Sequence, residues 1–155
     1  MEQLLTLAWQ YRAGLVPNEE LPIAAAHLLV AGLDSPALRE LAGLSRSDSN
    51  AELFPVVLGE FGTALPDQDI TECCVLHHVA DRLVAGAMTP SQVAAEVWRR
   101  LFAGWTEAER DFVDAVGYEY HVDLIAAERP EAFRVWEKAL RSAAERLCRT
   151  PFPTW

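Results

Sequence analysis

The chain has 155 residues, of which 51% are hydrophobic and 23% charged, and its formal net charge at pH 7 is −10. A chain of this size and composition can bury a core, so a folded domain is expected and a disordered chain is disfavoured. The negative charge would repel phosphate groups and anionic lipids, which disfavours nucleic acid and membranes as partners. The longest mainly apolar run, residues 21–33, is too short to span a bilayer.

The cysteines and the first residues of the chain indicate a reducing compartment. Three cysteines, two of them adjacent, do not make the even-numbered disulfide framework of a small secreted protein. The N-terminal residues place Glu2 ahead of a short apolar run, which is the wrong order for a secretory signal. We therefore expect a cytoplasmic protein with reduced thiols and no cofactor.

Helix-start signals recur along the first half of the chain. A helix capped at Asn18 conflicts with Pro22, which predicts a late start or a kink. Ser35 followed by Pro36 predicts a cap and the first residue of the next helix. A further start is predicted by the capping box of Ser49 and Glu52, again with a proline, Pro55, close behind it.

A connector at residues 65–68 leads to a second half in which the same signals recur. Pro130 opens the last helix, and residues 149–155 contain two prolines that favour an extended tail. We predict an all-α protein of seven or eight packed antiparallel helices, forming one domain over residues 1–148. The predicted capping pairs of this half are Asp69 with Glu72, Thr89 with Gln92, and Thr106 with Glu109.

The two halves, residues 1–64 and 69–148, share a weak internal repeat. Shifted by 72 residues, the two segments show six identities, which include Gly14 with Gly86 and Gly32 with Gly104. Both halves thus place Ala-Gly at two helix ends with the same separation, where glycine can cap a helix in the left-handed conformation. Duplication of a helical hairpin and convergent use of helix-ending residues both explain this pattern.

Two stretches, "LDSPALRELAGLSR" and "GAMTPSQVAAEVWRRL", resemble small acidic all-helical actinobacterial proteins of unknown function. The resemblance rests on helix caps and on leucine and alanine patterns. It implies an all-α fold and a cytoplasmic bacterial protein, and it transfers no site residue.

The stretch "TECCVLHHVA" carries the most specific chemistry in the sequence. At 100° per residue, the predicted buried stripe of this helix consists of Leu76, Ala80, Leu83 and Ala87, with Cys73 on one edge and Val79 on the other. The opposite face would then hold Cys74, His78 and Asp81.

These three residues are one candidate metal-ligand set, and His77 with Asp81 is a second. A lone helix rarely supplies all four ligands of zinc, and the other histidines are His27 and His121. We favour a structural role, with Cys73 as a small core residue and with Cys74 and His78 dispensable for stability.

The sequence evidence for a catalytic site is weaker than the evidence for a metal site. The sequence has no Gly-rich phosphate loop, HExxH pair or nucleophile elbow. Glu119 and Asp123 are spaced to meet on one helical face, but such pairs are common in an acidic chain. We assign no catalytic residue.

One surface pattern suggests a partner-binding site. If the helix that begins at Glu107 continues through Gly117, a stripe of acids and aromatic side chains lies along one face. Acids steer the encounter with a basic protein, and tyrosine supplies contact area at low entropic cost. The residues of this predicted stripe are Glu107, Asp111, Asp114, Tyr118 and His121.

Two functions follow from these patterns. The first is a non-catalytic acidic module that binds a basic protein partner, of which an immunity or antitoxin-like protein would be one example. The alternative is a small enzyme or metal-binding sensor that uses the Cys/His helix of residues 73–81.

Overall fold

The computed structural model describes residues 1–45, 52–100, 102, 104–117 and 126–155, and these residues form helices and connections without a strand. The prediction of an all-α fold is confirmed. None of the helices in these ranges is long and apolar enough to cross a membrane. The helices are α1 (Glu2–Arg12), α2 (Leu21–Val30), α3 (Pro36–Gly43), α4 (Leu53–Glu60), α5 (Gln68–Val84), α6 (Pro90–Arg100), α7 (Glu107–Val116) and α8 (Pro130–Cys148), and a 3₁₀ turn occupies Asn18–Glu20.

The chain divides into two compact units, unit 1 (Met1–Thr71) and unit 2 (Glu72–Trp155). Unit 1 holds α1 to α4, and unit 2 holds α6 to α8 together with most of α5. The division lies in the first turns of α5, a few residues beyond the predicted connector at 65–68.

Several helix starts are those that the sequence predicts. Ser35 Oγ accepts a hydrogen bond from the Leu38 amide at 3.3 Å. Thr89 and Gln92 form a reciprocal pair, because the Thr89 amide donates to Gln92 Oε1 at 2.9 Å and the Gln92 amide donates to Thr89 Oγ1 at 3.3 Å. These contacts satisfy amides that have no partner within the helix.

The start of α5 differs from the prediction that Asp69 caps it. The carboxylate of Asp67 accepts the Ile70 amide at 2.8 Å, and the helix already begins at Gln68. A capping side chain stands two or three residues before the amide whose hydrogen bond it accepts, just outside the helix, whereas Asp69 lies inside the first turn.

The two early prolines mark late helix starts. Pro22 is the second residue of α2, which follows the 3₁₀ turn, and Pro55 is the third residue of α4. At these positions the missing amide costs no intrahelical hydrogen bond. Ser49 of the predicted capping box lies outside the described residues.

The core of unit 1 includes several leucines and an edge-to-face aromatic contact. The rings of Tyr11 and Phe54 meet edge to face with centroids 5.2 Å apart, and Glu60 Oε2 accepts the Ala37 amide at 3.0 Å, which fixes α4 against the start of α3. The α2–α3 and α3–α4 pairs pack closely. The largest fully buried side chains of this unit are Leu4, Leu21, Leu38, Leu41, Phe54 and Leu58.

Unit 2 is held by the packing of α7 against α8. Trp136 Nε1 donates to the carbonyl of Ala115 at 3.0 Å, and an arginine of α8, Arg141, donates to the Leu83 carbonyl at 3.1 Å. The helix α8 ends at Cys148, and residues 151–155 have no regular structure. The buried side chains of α7 and α8 include Phe112, Val116, Leu140, Ala144 and Leu147.

The helix-ending turn of α1 recurs at the end of α5. Gly14 and Gly86 have φ values of 71° and 74°. The Leu15 amide donates to the Gln10 carbonyl at 2.8 Å, and 72 residues later the Ala87 amide donates to the Arg82 carbonyl at 2.8 Å. The shared turn supports the duplication hypothesis, which stays a prediction.

Gly104 is required for more than its backbone conformation. Its φ is 72°, and a Cβ atom there would stand 2.8 Å from the Arg110 amide nitrogen at the start of α7. We expect Gly104→Ala to lower the free energy of unfolding by about 3 kcal/mol, because steric overlap adds to the left-handed strain.

Gly86→Ala is the matched control, since Gly86 has the same conformation and open space around it. Gly86→Ala should lower the free energy of unfolding by about 1–2 kcal/mol, because it adds the backbone strain without the steric overlap. Urea unfolding of both variants checks this, and equal losses would contradict the role of the close approach.

Candidate functional site

Helix α5 is buried on more than one face. Its predicted stripe is buried at Leu76, Ala80 and Leu83, whereas Ala87 lies beyond the end of the helix and is exposed. Cys74, predicted to be on the solvated face, has an exposed fraction of 0%. The prediction that Cys74 is dispensable therefore rests on a wrong placement, because helical periodicity assumes one packing face.

The candidate metal ligands do not form a set. Cys74 is buried, His78 is half-buried and Asp81 is exposed. Burial raises the pKa of the Cys74 thiol to about 12, which disfavours the thiolate that metals bind. Within the described ranges, no group of three or more His, Cys, Asp or Glu side chains is placed to hold a metal ion. His121 lies outside them.

Instead, unit 2 contains a buried carboxylate at Glu109. This side chain is only 1% exposed. It belongs to the predicted capping box of α7, which is confirmed, since Glu109 Oε2 accepts the amides of Trp105 at 2.8 Å and Thr106 at 2.7 Å. In return, Thr106 Oγ1 accepts the Glu109 amide at 3.2 Å.

Two residues of the opening turns of α5 meet this carboxylate. His77 Nε2 lies 3.8 Å from Glu109 Oε1, and the Cys73 thiol shares a hydrogen bond with the same side chain. The ring of Phe152, from the C-terminal tail, meets the His77 ring edge to face at 5.5 Å. Cys73, His77 and Glu109 form what we call the buried polar cluster, and the exposed Phe152 packs against its histidine.

The environment fixes the protonation states of this cluster. Burial alone would raise the pKa of Glu109, but the amides of Thr106 and Trp105 outweigh it and leave the pKa lowered. Burial, and then the hydrogen bond to Glu109, raise the pKa of Cys73 to about 12. Burial lowers the pKa of His77, although the charge of Glu109 opposes the shift. At neutral pH the cluster holds a carboxylate, a thiol and a neutral imidazole.

A cysteine, a histidine and an acid could suggest nucleophilic catalysis, but these contacts work against it. A catalytic cysteine needs a base or a positive charge that lowers its pKa. Here the nearest charge is the carboxylate of Glu109, which stabilises the S–H form. The cluster joins α5 to the start of α7.

The predicted acidic stripe on α7 is interrupted. The helix ends at Val116, and Gly117 follows with a φ of 72°, so the assumed continuation through Gly117 is wrong. Asp111 accepts a hydrogen bond from Arg146 of α8 at 3.3 Å, whereas Glu107 and Asp114 are exposed. The other members, Tyr118 and His121, and the predicted acid pair Glu119 and Asp123, lie outside the described residues.

A groove between α1 and α2, in unit 1, is a feature that the sequence analysis missed. Its volume is about 660 Å³, and its described lining residues belong to α1, to α2 and to Ala31, which directly follows α2. Leu7 and Leu28 lie at its base, and Val30 lies at its edge with an exposed fraction of 89%. The composition of α2 could have indicated this groove, because the helix has ten residues and no Asp, Glu, Lys or Arg.

The accessibility of the three thiols follows from their burial. Cys73 and Cys74 are buried, whereas Cys148 is exposed, although burial raises the pKa of all three thiols. We expect Ellman's reagent to react with one thiol per native chain and with three after unfolding in guanidinium. Cys148→Ser should abolish the native reaction. A second fast thiol in the native state would contradict the burial of α5.

The lowered pKa of His77 predicts acid sensitivity. The unfolded chain takes up a proton near pH 6.5 more readily than the folded one, so stability is complete above that pH and is lost as pH falls below it. Each linked proton changes the free energy of unfolding by at most about 1.4 kcal/mol per pH unit. The pKa of His78 is also lowered, chiefly by burial, so His78 adds to the loss of stability at low pH.

His77→Gln should therefore lose less thermal stability than the wild type between pH 7.5 and pH 5.5. His27→Gln, a change of an exposed histidine in unit 1, is the matched control and should keep the wild-type dependence. Calorimetric melting at both pH values checks this. An unchanged pH dependence in His77→Gln would contradict the assignment.

With this geometry described, the chain can be set against known proteins. Comparisons with protein families, with curated proteins and with solved structures find no match. The resemblance to actinobacterial helical proteins therefore stays a prediction.

Proposed function

We propose that this protein is a non-catalytic acidic module that binds a basic protein partner, with immunity or antitoxin-like neutralisation as one form of such binding. The observation that carries the proposal is the uneven pairing of acidic side chains between the two units.

Acidic side chains in unit 1 are mostly exposed and without an ion pair. The sequence of residues 1–71 contains ten acids and three arginines. Among the described residues of this unit, the ion pair present is that of Asp34 with Arg39. The exposed acids that make no ion pair there are Glu2, Glu19, Glu20, Glu40, Glu52, Glu60, Asp67 and Asp69.

Acidic side chains in unit 2 are more often neutralised. Glu109 is buried in the polar cluster, and several others pair with arginines of the same unit. These pairs are Glu96 with Arg99 and Arg100, Asp111 with Arg146, Glu131 with Arg134, Glu137 with Arg141, and Glu145 with Arg149. The negative potential that would attract a basic partner therefore originates chiefly in unit 1.

The long-range field of such a surface acts mainly on the rate of encounter. Exposed charges near an interface steer diffusion and raise the association rate, and salt screens this effect. Binding of this kind needs no catalytic group. The raised pKa values of Cys73 and Cys74 weigh against the alternative of an enzyme or a metal sensor.

The test is charge reversal in each unit, measured against a partner isolated from the native host. Glu19→Lys with Glu20→Lys changes two exposed acids of unit 1, and Glu107→Lys with Asp114→Lys changes the two exposed acids of the predicted α7 stripe that make no ion pair among the described residues. We expect the first pair to slow association about tenfold at low salt, with little effect on dissociation. The second pair should have a smaller effect, because fewer acids of unit 2 lack an ion pair.

Stopped-flow association rates from 20 mM to 500 mM salt would check this result. Circular dichroism of each variant controls for folding, which exposed helix substitutions should not disturb. An acidic partner, or an association rate that neither salt nor either pair of reversals changes, would contradict the proposal.

A further inference from the structure

The groove between α1 and α2 has an apolar base and an edge without cations. Leu7 of α1 and Leu28 of α2 form its base, and Glu2, Gln10 and His27 are among its polar lining residues. None of the described residues that line it is a lysine or an arginine. Its volume of about 660 Å³ is in the range of sites that hold a ligand or part of a partner chain.

The α2 side of this groove is unusually apolar for a solvent-facing helix. Ile23, His27 and Val30 are its exposed positions, and their spacing places them on one side of the helix. Surface helices normally carry charged residues on the outer face, and α2 has none. An exposed apolar strip of this kind marks a surface that contacts another molecule.

The repeat within the chain gives an independent comparison. A shift of 72 residues relates Leu7 to Val79 and relates Val30 to Phe102. In unit 2 these positions are covered, since Val79 and Phe102 are both buried, Phe102 with an exposed fraction of 6%. The corresponding position in unit 1, Val30, is 89% exposed. Of the two compared positions, one differs between the units: Leu7 and Val79 are both buried, whereas Val30 is exposed and Phe102 is not.

Charge then selects the occupant. Glu2 lines the groove, and the exposed Glu20 ends the 3₁₀ turn that precedes α2, four residues before Ala24 of the lining. Glu19 is exposed beside it. These acids would meet positive side chains that flank an apolar face.

We infer that the α1–α2 groove receives an amphipathic helix of the partner protein, with its apolar face against Leu7, Leu28 and Val30 and its lysines or arginines beside Glu2 and Glu20. This inference rests on the proposed function, which supplies the basic partner. An amphipathic helix places residues i, i+3, i+4 and i+7 on one side, which suits a groove formed by two helices. The eleven residues of α1 offer about 16 Å of length, or three turns of contact.

The probe is a synthetic peptide of about 18 residues, with leucines at the i, i+3, i+4 and i+7 spacing and lysines elsewhere. A second peptide of the same composition, with its leucines spread around the helix, controls for charge alone. Fluorescence anisotropy against the full chain gives the dissociation constants of both peptides.

Val30→Glu separates apolar docking from electrostatic attraction. The new carboxylate adds negative charge, so attraction alone would leave binding unchanged or tighten it. Docking of an apolar face would instead weaken binding of the amphipathic peptide by about tenfold or more. Val135→Glu is the matched control, because Val135 is a helical valine of unit 2 with an exposed fraction of 72%.

We expect Val30→Glu to bind the amphipathic peptide more weakly than the wild type does, and Val135→Glu to bind it as the wild type does. The second peptide should bind the wild type more weakly than the amphipathic peptide does, and Val30→Glu should not change its affinity. Equal binding of the amphipathic peptide to wild type and Val30→Glu would overturn the groove inference. Salt-sensitive binding in that case would leave the acidic-surface proposal standing. No binding to the wild type would also overturn the inference, while the charge reversals against the isolated partner still test the proposed function on their own.

Discussion

A buried negative charge organises unit 2. Glu109 is almost fully removed from solvent, and a carboxylate in that position is tolerated only where hydrogen bonds replace the lost water. The amides of Trp105 and Thr106 provide those bonds, which fixes the first turn of α7. Cys73 and His77 complete the surroundings from α5. The close approach at Gly104 then follows, because the chain must turn tightly just before this carboxylate.

This arrangement decides how the reactive side chains of the chain are used. The most reactive side chains of the chain are two cysteines and a histidine of α5. All three are buried, and their surroundings keep them in their neutral forms. Unit 1 has the opposite character, since its acids are exposed and its α2 helix is uncharged. Recognition of a partner is therefore better supported for unit 1, where charge for steering and an apolar groove for contact occur together.

Local interactions explain what the sequence could predict. The caps at Ser35, Thr89 and Thr106 involve residues three positions apart, so the chain itself brings the partners together. The features that the sequence could not predict depend on long-range packing. Cys74 was placed on an exposed face because a single apolar stripe was assumed, and the contacts of Glu109 with α5 join residues more than thirty positions apart.

The prediction of a continuous acidic stripe on α7 was wrong for a local reason. A glycine at position 117 permits either continuation or termination of a helix, and the structure takes the left-handed termination. The groove was missed because a pattern of apolar residues indicates burial in general, whereas α2 keeps part of its apolar surface exposed.

Hydrogen–deuterium exchange of the intact chain, with and without the basic partner isolated from the native host, tests the central claim most directly. The account predicts slower exchange in α1 and α2 on binding, and unchanged exchange in α5 and in α7. Slower exchange in α5 or α7, with none in α1 and α2, would contradict it and would return the binding surface to unit 2.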